Sequence, residues 1–566
     1  MKQFKPGYLK LAVFSLVICF TLGMASISFA KFIDFFWYTD EGAQYGGDLD
    51  FSMAATPNNM DPHMGTTTGT GHNNTMNGLI RVAPKMTGYE PDLAESWERL
   101  DPLTVKFNLR KGVKFQNVEP VTGVKVGSNG REVTSADVKY SLRRLAGLEV
   151  PPPPKQGEKK KKGRRLGARD FRHSYYLAEL DSIETPDKYT VIIKTKTPFA
   201  PLMNYLGSAW AKIVPKEVVD QYGHLMTANI GSGPFILKEF RRDSHMLLVK
   251  NPDYFKKGKP YVDSIKRTII TDPAARLAAF MAHKLDFQAA AYWQRDTLME
   301  QVPDAWFQES TTAYQTIFRM PPRGGKAGPP RKPFSDVRVR RAIVAAVDKD
   351  SVVELGEGGF ADKNVSCING MPGITLPQSE QPEYNPEKAR KLLAEAGYPN
   401  GFKTTIMTWS TTNMQRYAQI FQAMLKEVGI DAQLNVLEFG QYFRKVYTYK
   451  YDLAVHVMTA AIDPDELLTP YWGTLKYSTY YKWDDPVLHE MIEKQKHIMN
   501  RRERAKYIQD IQRKVLDQAI NIFVMSSRSL SAYAPYLHIK NYYNDFQRTQ
   551  HEFTWIELDK QKAWKK

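Results

Sequence analysis

Two hydrophobic periodicities alternate along the chain. Residues 104–110 place Val105, Phe107 and Leu109 at every second position, with polar residues between them, which is typical of a half-buried strand. Residues 386–397 instead carry apolar side chains at helical spacing. These positions are Ala389, Leu392, Leu393 and Ala396. The alternation of the two patterns predicts a mixed α/β fold built in layers.

Helix boundary signals support this interpretation. Asn385 can cap a helix that begins at Pro386, and Gly397 is placed to end it. Thr134 and Asp137 have the spacing of a capping box, so a second helix is expected to begin there. The remaining expected elements are strands at 189–194 and 430–437, a helix at 413–428, and one long charged helix or a pair of helices at 487–518.

The first 30 residues have the organisation of a secretory signal peptide. Three lysines precede an apolar run that ends near Gly23, and Ser28 and Ala30 place small residues before a cut at Lys31. The competing interpretation is an uncleaved membrane anchor, because the apolar run is long and is followed by the apolar stretch 32–38. In both cases we expect the folded chain to lie in the periplasm.

The positive charge of the chain is concentrated in one stretch. The 566 residues include 78 Lys and Arg against 61 Asp and Glu, a net charge of +17. Residues 155–172 are rich in Lys and Arg and follow four prolines at 151–154, so we expect a solvated basic loop at 150–170. Contact with anionic lipid headgroups or an acidic permease surface is the alternative. Export from the cytoplasm argues against a nucleic-acid partner.

The sequence contains no arrangement that supports catalysis. It has no Gly-x-Ser-x-Gly, His-Glu-x-x-His or phosphate-loop motif. His489 and His497 do not have zinc spacing, and Cys367 is the only cysteine that remains after removal of a signal peptide. A lone cysteine is more often a packing residue than a ligand. We therefore expect a binding protein with no cofactor and no metal, rather than an enzyme.

Several segments, in the order in which they occur, resemble one family. The stretch QPEYNPEKARKLLAEAGYPNGF at 381–402 resembles a hallmark of the family-5 extracellular solute-binding proteins, the oligopeptide-, dipeptide- and nickel-binding components of ABC importers. GYEPDLAESW at 88–97 and the turn at 231–235 resemble further family segments, and Asp463-Pro464 stands where the family has an Asp-Pro loop. The resemblance runs from about residue 46 to about residue 540.

The resemblance implies a two-lobed periplasmic-binding-protein type II fold with an extra accessory domain (cluster C). The implied parts are lobe I at 45–90, 212–312 and 530–566, the accessory domain at 91–211, and lobe II at 313–529. Two segments near 310–320 and 525–535 would cross between the lobes and form a hinge.

A ligand cleft in such a protein needs aromatic walls and a few fixed polar groups. Tyr292 and Trp293 follow a predicted strand at 285–287, and Trp409 stands at the end of another predicted at 404–407. The candidate ligand-binding residues are Tyr292, Trp293, Trp409, Met458, Ala460, Asp463 and Trp472. Packing in the core is the competing interpretation for each aromatic residue, and the turn at 231–235 is expected to be scaffold.

One segment departs from the pattern of the peptide-binding members that the chain resembles. Those members have a Trp-x-x-Asp sequence before the Asp-Pro loop, and its aspartate pairs with the free ammonium of the peptide. Here Val457 and Ala460 occupy these two positions. A buried ammonium without a counter-charge is strongly penalised, so a peptide with a free amine is not expected to bind in the usual way. Asp463 could replace the lost carboxylate from a shifted position.

The resemblance implies a substrate-binding component that delivers a peptide or other small solute to an ABC permease in the inner membrane. A ligand-responsive periplasmic sensor or chaperone on the same fold is the alternative. We expect a monomer. The ligand class stays open among free or blocked peptides, oligosaccharides, opine-like compounds and metal chelates.

Overall fold

The computed structural model describes most of the chain. The described residues are 31–32, 40–57, 59–64, 72–83, 88–117, 130–149, 171, 173–222, 224–225, 229–291, 294–311, 314–321, 332–458, 461–474, 476, 480–481, 483–540 and 551–566. The predicted signal peptide at 1–30 and the basic loop at 150–170 lie outside them. Within the described ranges, no helix combines the length and the apolar character that crossing a bilayer requires.

Strands and helices follow one another in a mixed order. The strands are β1 Lys31–Phe32, β2 Asp48–Met53, β3 Ile80–Val82, β4 Tyr89–Pro91, β5 Ala94–Asp101, β6 Thr104–Leu109, β7 Leu180–Asp187, β8 Thr190–Thr195, β9 Phe235–Arg241, β10 His245–Lys250, β11 Ser264–Ile269, β12 Phe287–Ala290, β13 Trp306–Thr311, β14 Gln315–Arg319, β15 Ala361–Lys363, β16 Lys403–Trp409, β17 Asp431–Leu437, β18 Leu453–Met458, β19 Asn521–Tyr533, β20 Leu537–His538 and β21 Trp555–Ile556.

The helices are α1 His72–Thr75, α2 Ser135–Leu145, α3 Leu202–Leu206, α4 Lys216–Tyr222, α5 Pro273–Met281, α6 Arg295–Gln301, α7 Val337–Ala345, α8 Lys349–Glu357, α9 Pro386–Glu395, α10 Thr412–Glu427, α11 Phe439–Tyr447, α12 Asp465–Trp472, α13 Pro486–Gln495, α14 Arg501–Asp517 and α15 Leu558–Trp564. Short 3-10 turns lie at Ser174–Leu177, Gln378–Glu380 and His551–Phe553.

The local signals in the sequence are confirmed. The Asn385 side chain accepts a hydrogen bond from the Lys388 amide at 2.9 Å and caps α9. Gly397 follows α9 with a φ of +89°, a conformation that glycine adopts without strain. The charged stretch at 487–518 is a pair of helices, α13 and α14. The predicted strand at 285–287 is wrong in its start, because β12 begins at Phe287, opposite the last residue of β19.

Strand β19 organises the largest sheet. Among the described residues this sheet has the order β1-β13-β19-β14-β18-β16-β17, with β12 and β15 also paired to β19. The first half of β19 pairs with β14 through residues 521–525, and its second half pairs with β13 through residues 528–533. Separate four-stranded sheets have the orders β2-β11-β10-β9 and β5-β6-β8-β7.

The apolar core is divided among groups drawn from different parts of the chain. One group combines residues within 49–60, 235–307 and 530–564. A second group lies within residues 79–213 and covers one face of the β5-β6-β8-β7 sheet. Two further groups lie within residues 317–525, on the β14, β16 and β18 part of the large sheet. Strand β19 therefore runs from one core region into another.

The turn at 231–235 is scaffold. A side chain at Gly233 would come within 2.3 Å of the Thr75 backbone, so only glycine allows this close approach. The Gly233 amide donates to the Thr75 carbonyl at 2.9 Å. The Gln116 side chain donates to the carbonyl groups of Thr75, Gly233 and Phe235 and fixes the turn.

Candidate ligand cleft

Three parallel strands bring their carboxyl ends to one sheet edge. Strands β17 and β18 both run parallel to β16, and these three strands end at Trp409, Leu437 and Met458. Ligands of open α/β sheets bind outside the carboxyl ends of such strands. This edge, defined by Trp409, Leu437 and Met458, is the candidate cleft edge, and it contains two of the residues predicted from the sequence.

Trp409 belongs to an aromatic group on the candidate cleft edge. Its side chain is only 8% exposed, and its ring packs against Tyr442 at 4.8 Å and Phe439 at 6.0 Å between centroids. Phe439 begins α11 and is 56% exposed. Phe439 is not among the residues selected from the sequence. Its position just after the end of β17 could have identified it as a candidate.

A polar network lies beside the candidate cleft edge. Gln315 is the cross-strand partner of Met458, and its side chain accepts a hydrogen bond from Asn364 at 3.3 Å. Asn364 also donates to the Ser526 hydroxyl at 3.1 Å, and Asn369 donates to the same hydroxyl at 3.2 Å. Ser526 lies on β19 near the point where that strand changes partners. The network therefore connects the edge to the crossing strand.

Met458 and Trp472 are fully buried. The Trp472 ring stacks on Tyr481 at 5.8 Å and meets Phe523 at 6.1 Å. Both residues belong to the apolar group within 317–523. The structure therefore surrounds them with the packing contacts of a core, and their contact with a ligand stays a prediction.

Asp463 is a buried carboxylate whose charge is fully matched. Arg504 donates to its two oxygens at 2.9 and 2.6 Å, and Asn204 donates to one of them at 2.8 Å. The Asp465 amide donates to the other oxygen at 2.9 Å. Burial would raise the pKa of Asp463, but the Arg504 guanidinium outweighs burial and holds the pKa below its usual range. Asp463 is therefore ionised, and its oxygens already accept hydrogen bonds from protein donors.

The turn at 463–466, here called the acidic turn, joins two distant parts of the chain. The Tyr205 hydroxyl donates to the Asp465 carboxylate at 2.6 Å, and the Tyr176 hydroxyl donates to Glu466. The rings of these two tyrosines stack at 3.9 Å. Their hydrogen bonds span more than 250 positions of sequence, and no local pattern could have revealed them.

Three of the predicted site residues lie outside the described part of the chain. They are Tyr292, Trp293 and Ala460. The preceding strand β12 ends at Ala290, which pairs with Leu530 of β19. Their roles as ligand contacts stay predictions.

Cys367 is fully buried, and burial raises the pKa of its thiol above the usual range. Such a thiol is inert as a nucleophile. Among the residues that the structure describes, no three His, Cys, Asp or Glu side chains are grouped closely enough to hold a metal ion.

The comparison with known proteins identifies the family. Residues 88–479, more than half of the chain, match the model of the bacterial extracellular solute-binding proteins, family 5. The chain is 26% identical over 491 residues to heme-binding protein A of Haemophilus influenzae, covering 82% of this chain and 84% of that protein. It is 28% identical over 355 residues to the glutathione-binding protein GsiB of Escherichia coli, covering 62% of this chain and 61% of that protein.

Solved structures show the same fold. The ABC transporter-associated periplasmic binding protein DppA of Helicobacter pylori, solved with the peptide STSA, has a TM-score of 0.75 and 25% identity, covering 92% of this chain and 99% of that one. The periplasmic binding protein AgaA of A. tumefaciens R10, solved with agropinic acid, has a TM-score of 0.72 and 25% identity, covering 90% and 99%.

These matches confirm the two-lobed periplasmic-binding-protein fold expected from the sequence. The chain belongs to the bacterial extracellular solute-binding proteins of family 5, the substrate-binding components of ABC importers.

Proposed function

We propose that this substrate-binding component encloses its solute between two lobes with the bounds expected from the sequence. Lobe I would comprise 45–90, 212–312 and 530–566, lobe II 313–529, and the accessory domain 91–211. The separation of the apolar core into groups within 79–213, within 317–525 and around 235–307 supports these bounds. The change of partners along β19 between residues 525 and 528 supports the crossing segment expected near 525–535. Closure on the solute then favours docking to the permease.

The solute is recognised without the ammonium–carboxylate pair of the peptide-binding members. The observation that carries this proposal is the environment of Asp463, the acid nearest to Ala460 in the sequence. Its oxygens accept hydrogen bonds from Arg504, Asn204 and the Asp465 amide. A ligand ammonium would have to displace a guanidinium from a buried pair, which is strongly unfavourable.

The solute classes that fit are therefore compounds without a free amine at this position. They include N-blocked peptides, oligosaccharides, opine-like compounds and metal chelates. Similar proteins hold ligands of different chemical classes, since one was solved with a peptide and another with agropinic acid. The aromatic group around Trp409 and Phe439 offers apolar surface for such a solute.

The remaining parts of the proposal concern location and partners. Residues 1–30 are removed as a signal peptide before Lys31, and the mature chain works in the periplasm as a monomer without catalysis of its own. Its partners are the small solute and the ABC permease, and not nucleic acid. The extracellular assignment of the family supports export.

The test is calorimetry with matched peptides that are free or acetylated at the N-terminus, such as the tetrapeptide Ser-Thr-Ser-Ala. The native protein is expected to bind both forms weakly and alike. Ala460→Asp should improve binding of the free form over the acetylated form by about 10- to 150-fold, the value of a charge-assisted hydrogen bond. Thr459→Asp is the matched control, because it adds the same charge one position away and should not discriminate.

Two results would contradict this proposal. One is tight binding of free peptides by the native protein that acetylation abolishes, which would show that another acid serves as the anchor. The other is equal discrimination by Ala460→Asp and Thr459→Asp, which would show an unspecific effect of charge.

A further inference from the structure

Arg319 is a fully buried guanidinium with few protein acceptors. Arg319 is the last residue of β14 and is 0% exposed. Its Nη2 donates to the Tyr480 carbonyl at 2.6 Å, and the nearby Tyr451 hydroxyl offers a weak acceptor, but Nε and Nη1 make no well-formed hydrogen bond. A guanidinium carries five N–H donors and a permanent positive charge. Leaving such a group buried without a counter-charge is strongly unfavourable.

The groups around Arg319 supply no negative charge. Its Cζ lies 4.1 Å from the ring centre of Tyr481 and 5.3 Å from that of Tyr451. Burial raises the pKa of both phenols, so both stay neutral. Burial and Arg319 together keep the pKa of His456 well below its usual value, so this imidazole is neutral too. The side chains that act most strongly on the charge of Arg319 are tyrosines, Tyr451 and Tyr481 first, and not carboxylates.

A second unpaired donor lies beside Arg319. Asn521 is its cross-strand partner on β19, and cross-strand partners point to the same face of a sheet. The Asn521 side-chain oxygen accepts a hydrogen bond from the Tyr481 hydroxyl, but its Nδ2 has no partner. Two neighbouring strand positions therefore present three nitrogen donors without acceptors, namely Arg319 Nε, Arg319 Nη1 and Asn521 Nδ2.

We propose that Arg319 and Asn521 bind a small monovalent anion, with chloride as the model ion. An anion accepts hydrogen bonds from all three donors and also neutralises the guanidinium, whereas a water molecule would do only the first. The complete burial of Arg319 and Asn521, which are 0% and 3% exposed, restricts the site to a small ion.

This anion site is separate from the candidate cleft edge. Arg319 lies four residues along β14 from Gln315, which corresponds to about 13 Å of strand. Its neighbours come from the segments at 451 and 480–481, at the opposite end of β14 from the polar network. The ion would therefore hold these segments together and stabilise the region within 317–525, independently of the solute.

The test uses the full mature chain in chloride and bromide. Crystals grown in sodium bromide should show an anomalous peak within hydrogen-bond distance of Arg319 Nε or Nη1 and Asn521 Nδ2. At constant ionic strength, replacing gluconate by chloride should raise the melting temperature by about 1–3 °C for each tenfold increase in chloride. The absence of the anomalous peak, or of the chloride response, would overturn the proposal.

One substitution keeps the test independent of folding. Asn521→Asp supplies a carboxylate beside Arg319 and can still accept from Tyr481, so the variant should fold and lose the chloride response. Asn108→Asp, on the exposed face of β6, makes the same chemical change far from the site and should keep the response. A chloride response that survives in Asn521→Asp would also overturn the proposal.

Discussion

The acidic turn and the end of β14 differ in how the protein pairs a buried charge. At the acidic turn, Asp463 is ionised, and Arg504, Asn204 and a backbone amide meet its oxygens. At the end of β14, the Arg319 guanidinium donates to one backbone carbonyl and lies over two neutral aromatic rings. Asp463 and Arg319 are both 0% exposed.

The difference separates groups that build the protein from groups that can hold a ligand. A buried charge that is fully paired by the protein gains no further stabilisation from a solute, which supports our proposal that Asp463 does not replace the carboxylate absent at Ala460. A buried charge with unmet donors retains the capacity to bind. The pairing of Asp463 therefore favours solutes without a free amine. The unpaired donors of Arg319 support the proposed binding of an anion.

The largest effect should follow from breaking the pair at the acidic turn. Arg504→Gln leaves Asp463 buried without its counter-charge and should lower the free energy of unfolding by about 3–5 kcal/mol. Arg513→Gln on the same helix breaks an exposed pair with Glu380 and should cost no more than about 1 kcal/mol. Urea unfolding measures both values. Equal effects of the two substitutions would show that Asp463 is not committed to Arg504.

A smaller effect should follow from removing one donor to the acidic turn. Tyr205→Phe deletes the hydrogen bond to Asp465, which keeps Thr469 and Gln495 as donors, so the cost should be about 1–2 kcal/mol. Tyr205 belongs to the segment that contacts the acidic turn from outside the proposed lobe II. The unliganded variant should therefore show a larger radius of gyration by small-angle scattering.

Tyr398→Phe is the control for this experiment, because its ring packs on Phe402 away from the acidic turn. An unchanged radius in Tyr205→Phe, or the same change in both variants, would show that the contact does not hold the two parts of the chain together.

A third effect should appear as a pH dependence. Glu357 is buried and accepts hydrogen bonds from Tyr417 and Ser527, and burial raises its pKa from 4.5 to about 7. A raised pKa means that its stabilising contribution is complete below about pH 4.5 and is lost as the pH rises through about 7. Asp463 acts in the opposite sense, because its pKa is lowered in the folded protein. Its stabilising contribution is present above the unfolded pKa and is lost as the pH falls through the folded pKa.

Glu357→Gln removes the group that titrates in this window. The melting temperature of this variant should fall less than that of the native protein between pH 4.5 and pH 8. Scanning calorimetry across this range checks the difference. A variant with the native pH dependence would mean that another group is responsible.

The sequence was most informative where structure is local. Asn385, Pro386 and Gly397 define α9 because a cap, a first-turn proline and a left-handed glycine act within one helix. The strand expected at 404–407 was found as β16, which extends to Trp409. The family resemblance then supplied the two-lobed fold, which periodicity alone could not have shown.

The site was less predictable because its contacts are distant in sequence. Asn204 and Tyr205 meet Asp463 and Asp465 across about 260 positions, and no spacing rule connects them. The pairing of Asp463 depends on Arg504. The pattern of charged residues along α14 does not distinguish Arg504 from its neighbours. Arg319 likewise looks like an ordinary strand residue until its missing partners are counted.

The most direct test of the account is mass spectrometry of the solute released from the native protein after its purification from the cells that produce it. The account predicts a stoichiometric small molecule without a free amine, such as a blocked peptide, an opine-like compound, an oligosaccharide or a chelate. A set of ordinary peptides with free N-termini would contradict it, because their ammonium groups would need an acid that the committed Asp463 does not provide.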